Sequence, residues 1–153
     1  MQDLYQMPGH LIRRAQQVST AIFTDECAAF DLTSVQYAAL CAIEATPEVD
    51  ATRLSALITF DRSTIGDVLE RLEAKGWITR ICSAQDRRVK LVRLSAAGLS
   101  LLREVEPAVR RAQERLLAPL APGDRAMIVR LLAELTEAHN EATPAPPRAA
   151  PRT

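Results

Sequence analysis

The sequence predicts a mainly α-helical fold with a small β-hairpin. Within residues 50–95, two short helical patterns are separated by about four residues and are followed by two short strand patterns joined by a charged turn. The chain has 153 residues, 48% of them hydrophobic, which is enough for one domain with a sizeable core and too few for two. We therefore expect one winged helix-turn-helix domain over residues 1–142.

Two helices are expected before this stretch. The first covers about residues 8–30, where apolar residues form two neighbouring stripes at helical spacing, which indicates two packing neighbours. The second covers about 34–45. It begins at a capping box in which Thr33 and Gln36 satisfy each other's backbone N–H groups. Residues 46–49 are expected to form a loop.

The two helices of the central stretch are predicted from their caps and apolar spacing. Asp50 is placed to cap a helix over 51–58, and Asp61 stands at the start of the next. Gly76 ends this second helix, because glycine readily adopts the left-handed conformation. Its buried side is expected to consist of Ile65, Val68, Leu69 and Leu72.

A charged hairpin follows. Residues 77–82 and 89–94 are the strand candidates, and 83–88 form the tip. In a winged helix-turn-helix the second helix enters the major groove of DNA, and the hairpin, or wing, reaches the adjacent backbone or minor groove. We expect the DNA-reading part to span about residues 33–94.

The charge distribution agrees with a nucleic-acid partner although the formal net charge is zero. Between Ile78 and Arg93 five basic residues stand against one acid, a local balance of +4. Between Asp25 and Asp61 seven acids stand against one arginine, a balance of −6. A small basic wing on a neutral body fits binding to one short duplex site.

Two further helices are expected, over about 95–118 and 124–141, with a kink near Pro107 in the first of them. Residues 143–153 contain four prolines and no large apolar residue, so we expect a disordered tail. Helices 8–30, 95–118 and 124–141 carry apolar stripes with no evident cover. A homodimer would bury them, and its two-fold symmetry predicts an inverted-repeat DNA site.

Candidate DNA-binding residues come from the second helix of the motif and from the wing. Asp67 is expected either to accept a hydrogen bond from a cytosine amino group or to restrain Arg71. Ordinary helix capping and a solvated charged hairpin are the structural alternatives. The candidates are Arg62, Ser63, Thr64, Asp67 and Arg71 on the helix, and Arg87, Arg88 and Lys90 on the wing.

Other classes of function find little support in the sequence. The three cysteines, Cys27, Cys41 and Cys82, lack metal or redox spacing, and we expect them to be reduced and mostly buried. No nucleophile stands beside a base, and no glycine-rich phosphate loop is present, so we expect neither catalysis nor a cofactor. With no membrane span or signal peptide, a cytoplasmic protein is expected.

Several motifs together resemble the MarR family of bacterial transcription regulators. They are Asp61-Arg62-Ser63-Thr64, the run Leu69-Glu70-Arg71-Leu72-Glu73-Ala74-Lys75-Gly76-Trp77-Ile78, and Asp86-Arg87-Arg88 followed by Leu94-Ser95. The resemblance implies that Asp86 holds the wing in shape by pairing with an arginine. It also implies a cleft for small aromatic acids between the dimerisation helices and the reading domain. Some members sense peroxide through a cysteine near the start of the first helix, but Cys27 lies toward its far end.

An effector site is expected at His10 and Arg14, which share one helix face, with Ser19 and Tyr37 completing it. A guanidinium binds a carboxylate at two points, and a histidine can bond a ring hydroxyl or nitrogen. The run 9–16 resembles that of repressors of aromatic-acid degradation, especially of nicotinate. The arginines could instead form surface or interface salt bridges.

The sequence thus predicts a homodimeric repressor that is released from an inverted repeat by a small aromatic carboxylate such as a hydroxylated nicotinate. Two alternatives stay open. One is a helical protein-interaction module whose basic hairpin docks an acidic partner, and the other is a constitutive regulator without an effector.

Overall fold

The computed structural model describes residues 3–58 and 62–140, without the side chains of Arg62 and Asn140. The described chain forms six α-helices, two short 3-10 helices and one three-stranded antiparallel sheet. The α-helices are α1 (Pro8–Glu26), α2 (Ser34–Ala45), α3 (Ala51–Ile58), α4 (Arg62–Ala74), α5 (Ala96–Leu117) and α6 (Pro122–Asn140). The strands are β1 (Val49–Asp50), β2 (Ile78–Cys82) and β3 (Lys90–Leu94), and the 3-10 helices are Leu4–Gln6 and Ala28–Phe30. The predicted class, mainly α-helical with a small β-hairpin, is confirmed.

Local caps fix the starts of α2 and α3. The Gln36 N–H donates to Thr33 Oγ1 at 3.2 Å, and the Thr33 N–H donates to Gln36 Oε1 at 3.2 Å, so the predicted capping box is present. The Asp50 carboxylate accepts from the Arg53 N–H at 2.8 Å. Both helices have the predicted bounds, and their starts were predictable because these capping contacts lie within one turn of the chain.

The first helix is shorter than predicted. It ends at Glu26, and a 3-10 turn over Ala28–Phe30 replaces the last predicted turn. Asp31 then takes the left-handed conformation, with φ 48°, and reverses the chain toward α2. The apolar spacing continues through this turn, so periodicity alone placed it in the helix.

The segment predicted as a loop before α3 contains a strand. Glu48 has φ 62°, and this left-handed residue turns Val49–Asp50 alongside β3, where Val49 pairs with Val92 and Asp50 with Leu91. The sheet order is therefore β1-β3-β2, with β3 in the centre. The stretch carries no glycine to mark the turn, so the strand could not be predicted.

The apolar stripe of α5 lies inside the protomer, so the prediction that it needs a second chain as cover is wrong. It packs against α1 and α2 in one core with Phe23 and Leu40. Arg111 pairs with Glu26 at 3.1 Å along the edge of the α1–α5 contact. The buried residues of the stripe are Leu101, Leu102, Val105, Ala108, Val109 and Ala112.

The C-terminal helices differ little from expectation. The hydrogen-bonded helix α5 continues through Pro107, and the kink there stays a prediction. Helix α6 begins at Pro122, two residues before the predicted start, because proline suits the first turn of a helix. Asp61 as helix start, Glu141 as helix end and the tail over 143–153 lie outside the described residues.

Candidate nucleic-acid interface

Helix α4 is held on the body of the protein by one apolar face. Ile65, Leu69 and Leu72 are at most 2% exposed, as the sequence predicted. Gly76 has φ 73°, and its N–H donates to the Glu73 carbonyl while the Trp77 N–H donates to Leu72, so the helix ends there. These contacts leave the opposite side of α4 toward solvent.

The candidate DNA-binding residues of α4 divide between two faces. Arg62 heads the helix, and Ser63 is exposed on the outer side, whereas Asp67 is exposed on the flank that faces α1 and α2. Thr64 is half-buried, and Arg71 is exposed on the flank that faces α1 and α2. The positive end of the helix dipole lies beside Ser63 and favours an anion such as a phosphate.

Two clefts lie along that flank. The first, of about 370 Å³, is lined by residues of α1, α2 and α4 that include Thr20, Thr24, Thr64, Asp67 and Arg71. The second, of about 400 Å³, shares Thr33, Gln36 and Arg71 with the first and extends to Asp31 and Lys75. Three of the DNA-binding candidates on α4, Thr64, Asp67 and Arg71, therefore also line a cleft between α4 and helices α1 and α2.

The wing is shaped by its own backbone and by Asp86. The Ser83 N–H donates to the Val89 carbonyl at 2.9 Å and closes the hairpin. The Asp86 carboxylate accepts from the Arg88 backbone N–H at 2.9 Å. The expected ion pair of Asp86 with an arginine is absent among the described residues. Asp86 shapes the tip through the backbone, which leaves the guanidinium groups outward.

The basic charges of the wing are only partly neutralised. The Arg80 Nε lies 3.0 Å from a carboxylate oxygen of Glu73 on α4, and Arg93 pairs with Glu48 at the base of the sheet. At the tip, Arg87 and Arg88 are exposed. Lys90 Nζ lies 3.0 Å from the sulfur of Cys82. The tip thus presents two exposed arginines beyond the point where β2 contacts α4.

Cys82 departs from the expectation that the cysteines are mostly buried. Its position on β2 is exposed, whereas Cys27 is 1% exposed and Cys41 is half-buried. Burial, followed by the charge of Glu26, raises the pKa of the Cys27 thiol. Burial also raises the pKa of Cys41. Cys82 shares its face of β2 with the buried Ile78, but it stands at the end of the strand nearest the hairpin tip, where the core no longer covers it.

A junction that the sequence did not reveal anchors the end of α4. Lys75 Nζ lies 2.8 Å from the Asp31 carboxylate, donates to the Asp31 carbonyl, and sits 4.6 Å from the centre of the Trp77 ring. The Trp77 carbonyl accepts from the Ser95 N–H at 3.0 Å. Because Asp31 and Lys75 are 44 residues apart, no local pattern indicates the pair.

The four candidate effector residues do not line either cleft beside α4. His10 packs edge-on against Tyr5, with ring centres 5.6 Å apart, and Arg14 donates to Gln17 at 3.5 Å. Ser19 is half-buried on the same helix, about 13 Å along the axis from His10.

Tyr37 is held deeper in the protomer than the other effector candidates. Its ring packs on Phe23, with centres 5.8 Å apart. Burial and a hydrogen bond to the Cys41 side chain raise the pKa of Tyr37 to about 12. The structure therefore brings the half-buried His10 and the exposed Arg14 to one face of α1 and packs the half-buried Tyr37 against the core.

The described residues hold neither a metal-binding cluster nor a membrane-spanning helix. Across the described part of the chain, histidine, cysteine and acidic side chains do not gather in groups of three or more that could hold a metal ion. No helix within residues 3–58 and 62–140 combines the length and apolarity needed to cross a membrane.

A helix-turn-helix followed by a basic hairpin defines a winged-helix DNA-binding protein. The profile of the MarR family matches residues 32–90. The chain is 31% identical over 140 residues to the HTH-type transcriptional repressor NicR of Pseudomonas putida strain KT2440, and the match covers 92% of this chain and 89% of that protein. The chain belongs to the MarR family. It is a transcriptional regulator and not an enzyme.

Two solved structures are similar over nearly their whole length. Bordetella bronchiseptica BpsR, whose DNA binding is regulated by 6-hydroxynicotinic acid, superposes with a TM-score of 0.83 and 29% identity, covering 89% of this chain and 97% of that one. The Streptomyces coelicolor regulator PcaV, in complex with its natural ligand, gives a TM-score of 0.78 and 33% identity, covering 91% and 98%. Both likenesses support the winged-helix architecture.

Proposed function

We propose that the protein is a ligand-responsive repressor that binds an inverted-repeat operator as a homodimer and is released by a small aromatic carboxylate. The observation that carries the DNA-binding part is the placement of the outer face of α4 beside a wing whose tip exposes Arg87 and Arg88. The names of NicR and BpsR support repression and regulation by a hydroxylated nicotinate. A cytoplasmic location, where the operator lies, is part of this proposal.

The binding surface combines base reading with phosphate contact. We assign Arg62, Ser63, Thr64, Asp67 and Arg71 of α4 to the major groove and its rims, and Arg87, Arg88 and Lys90 of the wing to the neighbouring backbone or minor groove. The negative charge of Asp67 repels DNA phosphates, so we assign its carboxylate to a base contact. It would accept a hydrogen bond from the amino group of a cytosine. The arginines supply affinity that weakens as salt increases.

The dimer is supported by helix α6. Every described side chain of α6 up to His139 is exposed, although the helix carries six large apolar residues. The start of the chain adds further exposed apolar side chains on the Leu4–Gln6 turn and on α1. Apolar area of this extent is unusual on a monomer and stabilises association at about 25 cal/mol per Å² buried. The α6 residues are Met127, Ile128, Val129, Leu131, Leu132 and Leu135.

A second copy of the chain is the occupant that fits this surface best. Two-fold symmetry would place both α4 helices on one side of the dimer, facing major grooves about 34 Å apart. The two-fold symmetry makes the operator an inverted repeat, and the spacing of the helices sets the distance between its half-sites.

The effector site is assigned to His10 and Arg14, with Ser19 and Tyr37 contributing from deeper in the fold. His10 and Arg14 lie on α1 among the exposed apolar residues Leu11 and Ile12. A second subunit that covered these residues would exclude water from the Arg14 guanidinium and strengthen its bond to a carboxylate. Release then requires that the ligand bind more tightly to the arrangement that no longer fits DNA.

DNA binding is tested with duplexes selected by the wild-type protein from a randomised pool. We expect an inverted repeat and an affinity that falls steeply with salt. Arg88→Ala should lower the slope of log affinity against log salt by about 1. Arg110→Ala, which removes an exposed arginine paired with Glu106 on α5, is the matched control and should leave the slope unchanged. Binding without sequence preference would favour a protein-interaction module.

Effector binding is tested separately from DNA by thermal shift with 6-hydroxynicotinate and related benzene carboxylates. A ligand that prefers the folded dimer raises the melting temperature, and Arg14→Ala should abolish the rise. Arg71→Ala is the informative comparison, because Arg71 lines both clefts beside α4. If Arg71→Ala abolishes the shift and Arg14→Ala does not, the site lies in those clefts. The absence of any shift would favour a constitutive regulator.

A further inference from the structure

Helix α4 contains a glycine in its interior, Gly66, at a point where the protein has no evident use for one. A glycine inside a helix destabilises it by roughly 1 kcal/mol relative to alanine. Gly66 lies four residues after the start of α4 and does not have a positive φ, unlike Gly76. Neither a cap nor an unusual backbone conformation therefore accounts for it.

Packing within the protomer does not account for Gly66 either. Apart from its chain neighbours and the backbone of its own helix, a Cβ built at this position meets no heavy atom of the described residues within 4 Å, so an alanine side chain would stand in open space. The contrast is Gly98, where the same Cβ would lie 2.1 Å from the Trp77 carbonyl oxygen. The described residues therefore leave the space beside Gly66 empty, and no contact within the protomer explains why this position lacks a side chain.

The position of Gly66 on the helix shows where this space lies. At 3.6 residues per turn, Gly66 is about 100° round from the buried Ile65, on the flank opposite to Thr64 and Arg71. The same flank carries Glu73, which pairs with Arg80 of β2. Gly66 therefore lies on the side of α4 that faces the wing, about 10 Å along the helix axis before Glu73.

We infer that Gly66 is the point of closest approach between the backbone of α4 and duplex DNA, where the missing side chain makes room for a base edge. The inference rests on the proposed DNA-binding function. Among the described exposed residues of α4, Ser63 and Glu70 lie within about 60° of Gly66 around the helix axis, one turn before and after it. Both carry hydrogen-bond acceptors of the kind that read exocyclic amino groups. Because Gly66 has no side chain, the backbone of α4 can come close enough to the DNA for the side chains of Ser63 and Glu70 to reach the base edges on the floor of the major groove.

Replacing Gly66 by alanine should stabilise the protein and weaken its binding to DNA. Gly66→Ala should raise the melting temperature by roughly 2–4 °C, because alanine stabilises the helix and its methyl group meets nothing in the protein. The same variant should bind the selected duplex about tenfold or more weakly, because the methyl group intrudes on the DNA. The salt slope should stay at the wild-type value, since no phosphate contact is lost.

Gly9→Ala is the matched control, because its Cβ also meets nothing within 4 Å but it lies on α1, away from α4. It should leave DNA affinity unchanged. The inference is overturned if Gly66→Ala binds the duplex as tightly as the wild type while Arg88→Ala does not. A fall in melting temperature or a loss of the dimer in Gly66→Ala would overturn it too, since the glycine would then serve packing. If the wild-type protein selects no duplex, the proposed function itself fails.

Discussion

The carbonyl oxygen of Trp77 lies so close to the α-carbon of Gly98 that any side chain at position 98 would overlap it. A Cβ built there would stand 2.1 Å from this oxygen, and Ser95 adds hydrogen bonds to the Gly76 carbonyl at 2.6 Å and from the Gly98 N–H at 3.0 Å. The start of α5 is thereby joined to the end of α4. This contact therefore connects α5, which packs in the core, to α4, the helix proposed to enter the major groove.

Gly98→Ala should destabilise the protein by roughly 3 kcal/mol, because the atom it strikes belongs to the backbone and cannot rotate away. Chemical denaturation monitored by circular dichroism measures the loss. Gly123→Ala is the control, since a Cβ there meets nothing within 4 Å. Unchanged stability of Gly98→Ala would show that the two helices can move apart without cost.

Stability should fall at high pH through Tyr37. The folded environment raises the pKa of Tyr37 from 10.0 to about 12, so the neutral phenol is favoured in the folded state. Its contribution is fully present below pH 10 and is lost as the pH rises from 10 toward 12. The difference in unfolding free energy between wild type and Tyr37→Phe should therefore shrink over this interval.

Tyr5→Phe, which removes an exposed phenol, is the matched control for this titration. It should show the same decline with pH as the wild type. If Tyr37→Phe declines as steeply as the wild type, Tyr37 is not the group responsible.

The three cysteines should differ in reactivity. Cys27 is buried with a raised pKa, so it forms little of the reactive thiolate, and Cys41 is half-buried with a raised pKa. Cys82 is exposed on β2. A thiol reagent should label Cys82 rapidly in the native protein and the other two only in denaturant. Cys82→Ser should abolish the rapid phase, and rapid labelling of Cys27 would contradict the burial.

The sequence predicted the elements that short-range contacts determine. The capping box at Thr33 and Gln36, the Asp50 cap and the Gly76 stop each involve residues within one turn, and α2 and α3 have the predicted bounds. Strand β1 was missed because it exists only by pairing with Val92, which is 43 residues away. Local pattern carries no information on such a partner.

In the candidate interface, too, the features set by nearby residues could be predicted and those set by distant contacts could not. The exposed arginines of the wing could be read from the charged turn, since a hairpin tip is solvated whatever it packs on. The anchoring of α4 by Asp31 and Lys75, and the contact of Gly98 with Trp77, depend on how distant segments cross. An interior glycine is the one sequence feature that could have pointed to Gly66 and Gly98, because its cost to a helix calls for a reason.

The exposed apolar face of α6 is proposed to form the dimer interface, so a charge placed on it should disrupt the dimer. Leu132→Glu places a charge among Ile128, Leu131 and Leu135, where a second subunit would leave it buried and unpaired. The protomer should stay folded, because Leu132 is exposed and contributes nothing to the core, so helix content by circular dichroism should be unchanged. Analytical ultracentrifugation should show a monomer in place of a dimer.

Glu134→Lys is the control on the polar side of the same helix, where Glu134 pairs with Arg130, and it should remain dimeric. Loss of the dimer separates the two recognition helices, so Leu132→Glu should bind a half-site about as well as the full inverted repeat. We expect the wild-type protein to gain affinity for the full site by engaging both halves at once. A Leu132→Glu variant that stays dimeric and keeps this gain would mean that α6 does not form the interface and that its apolar face meets something else.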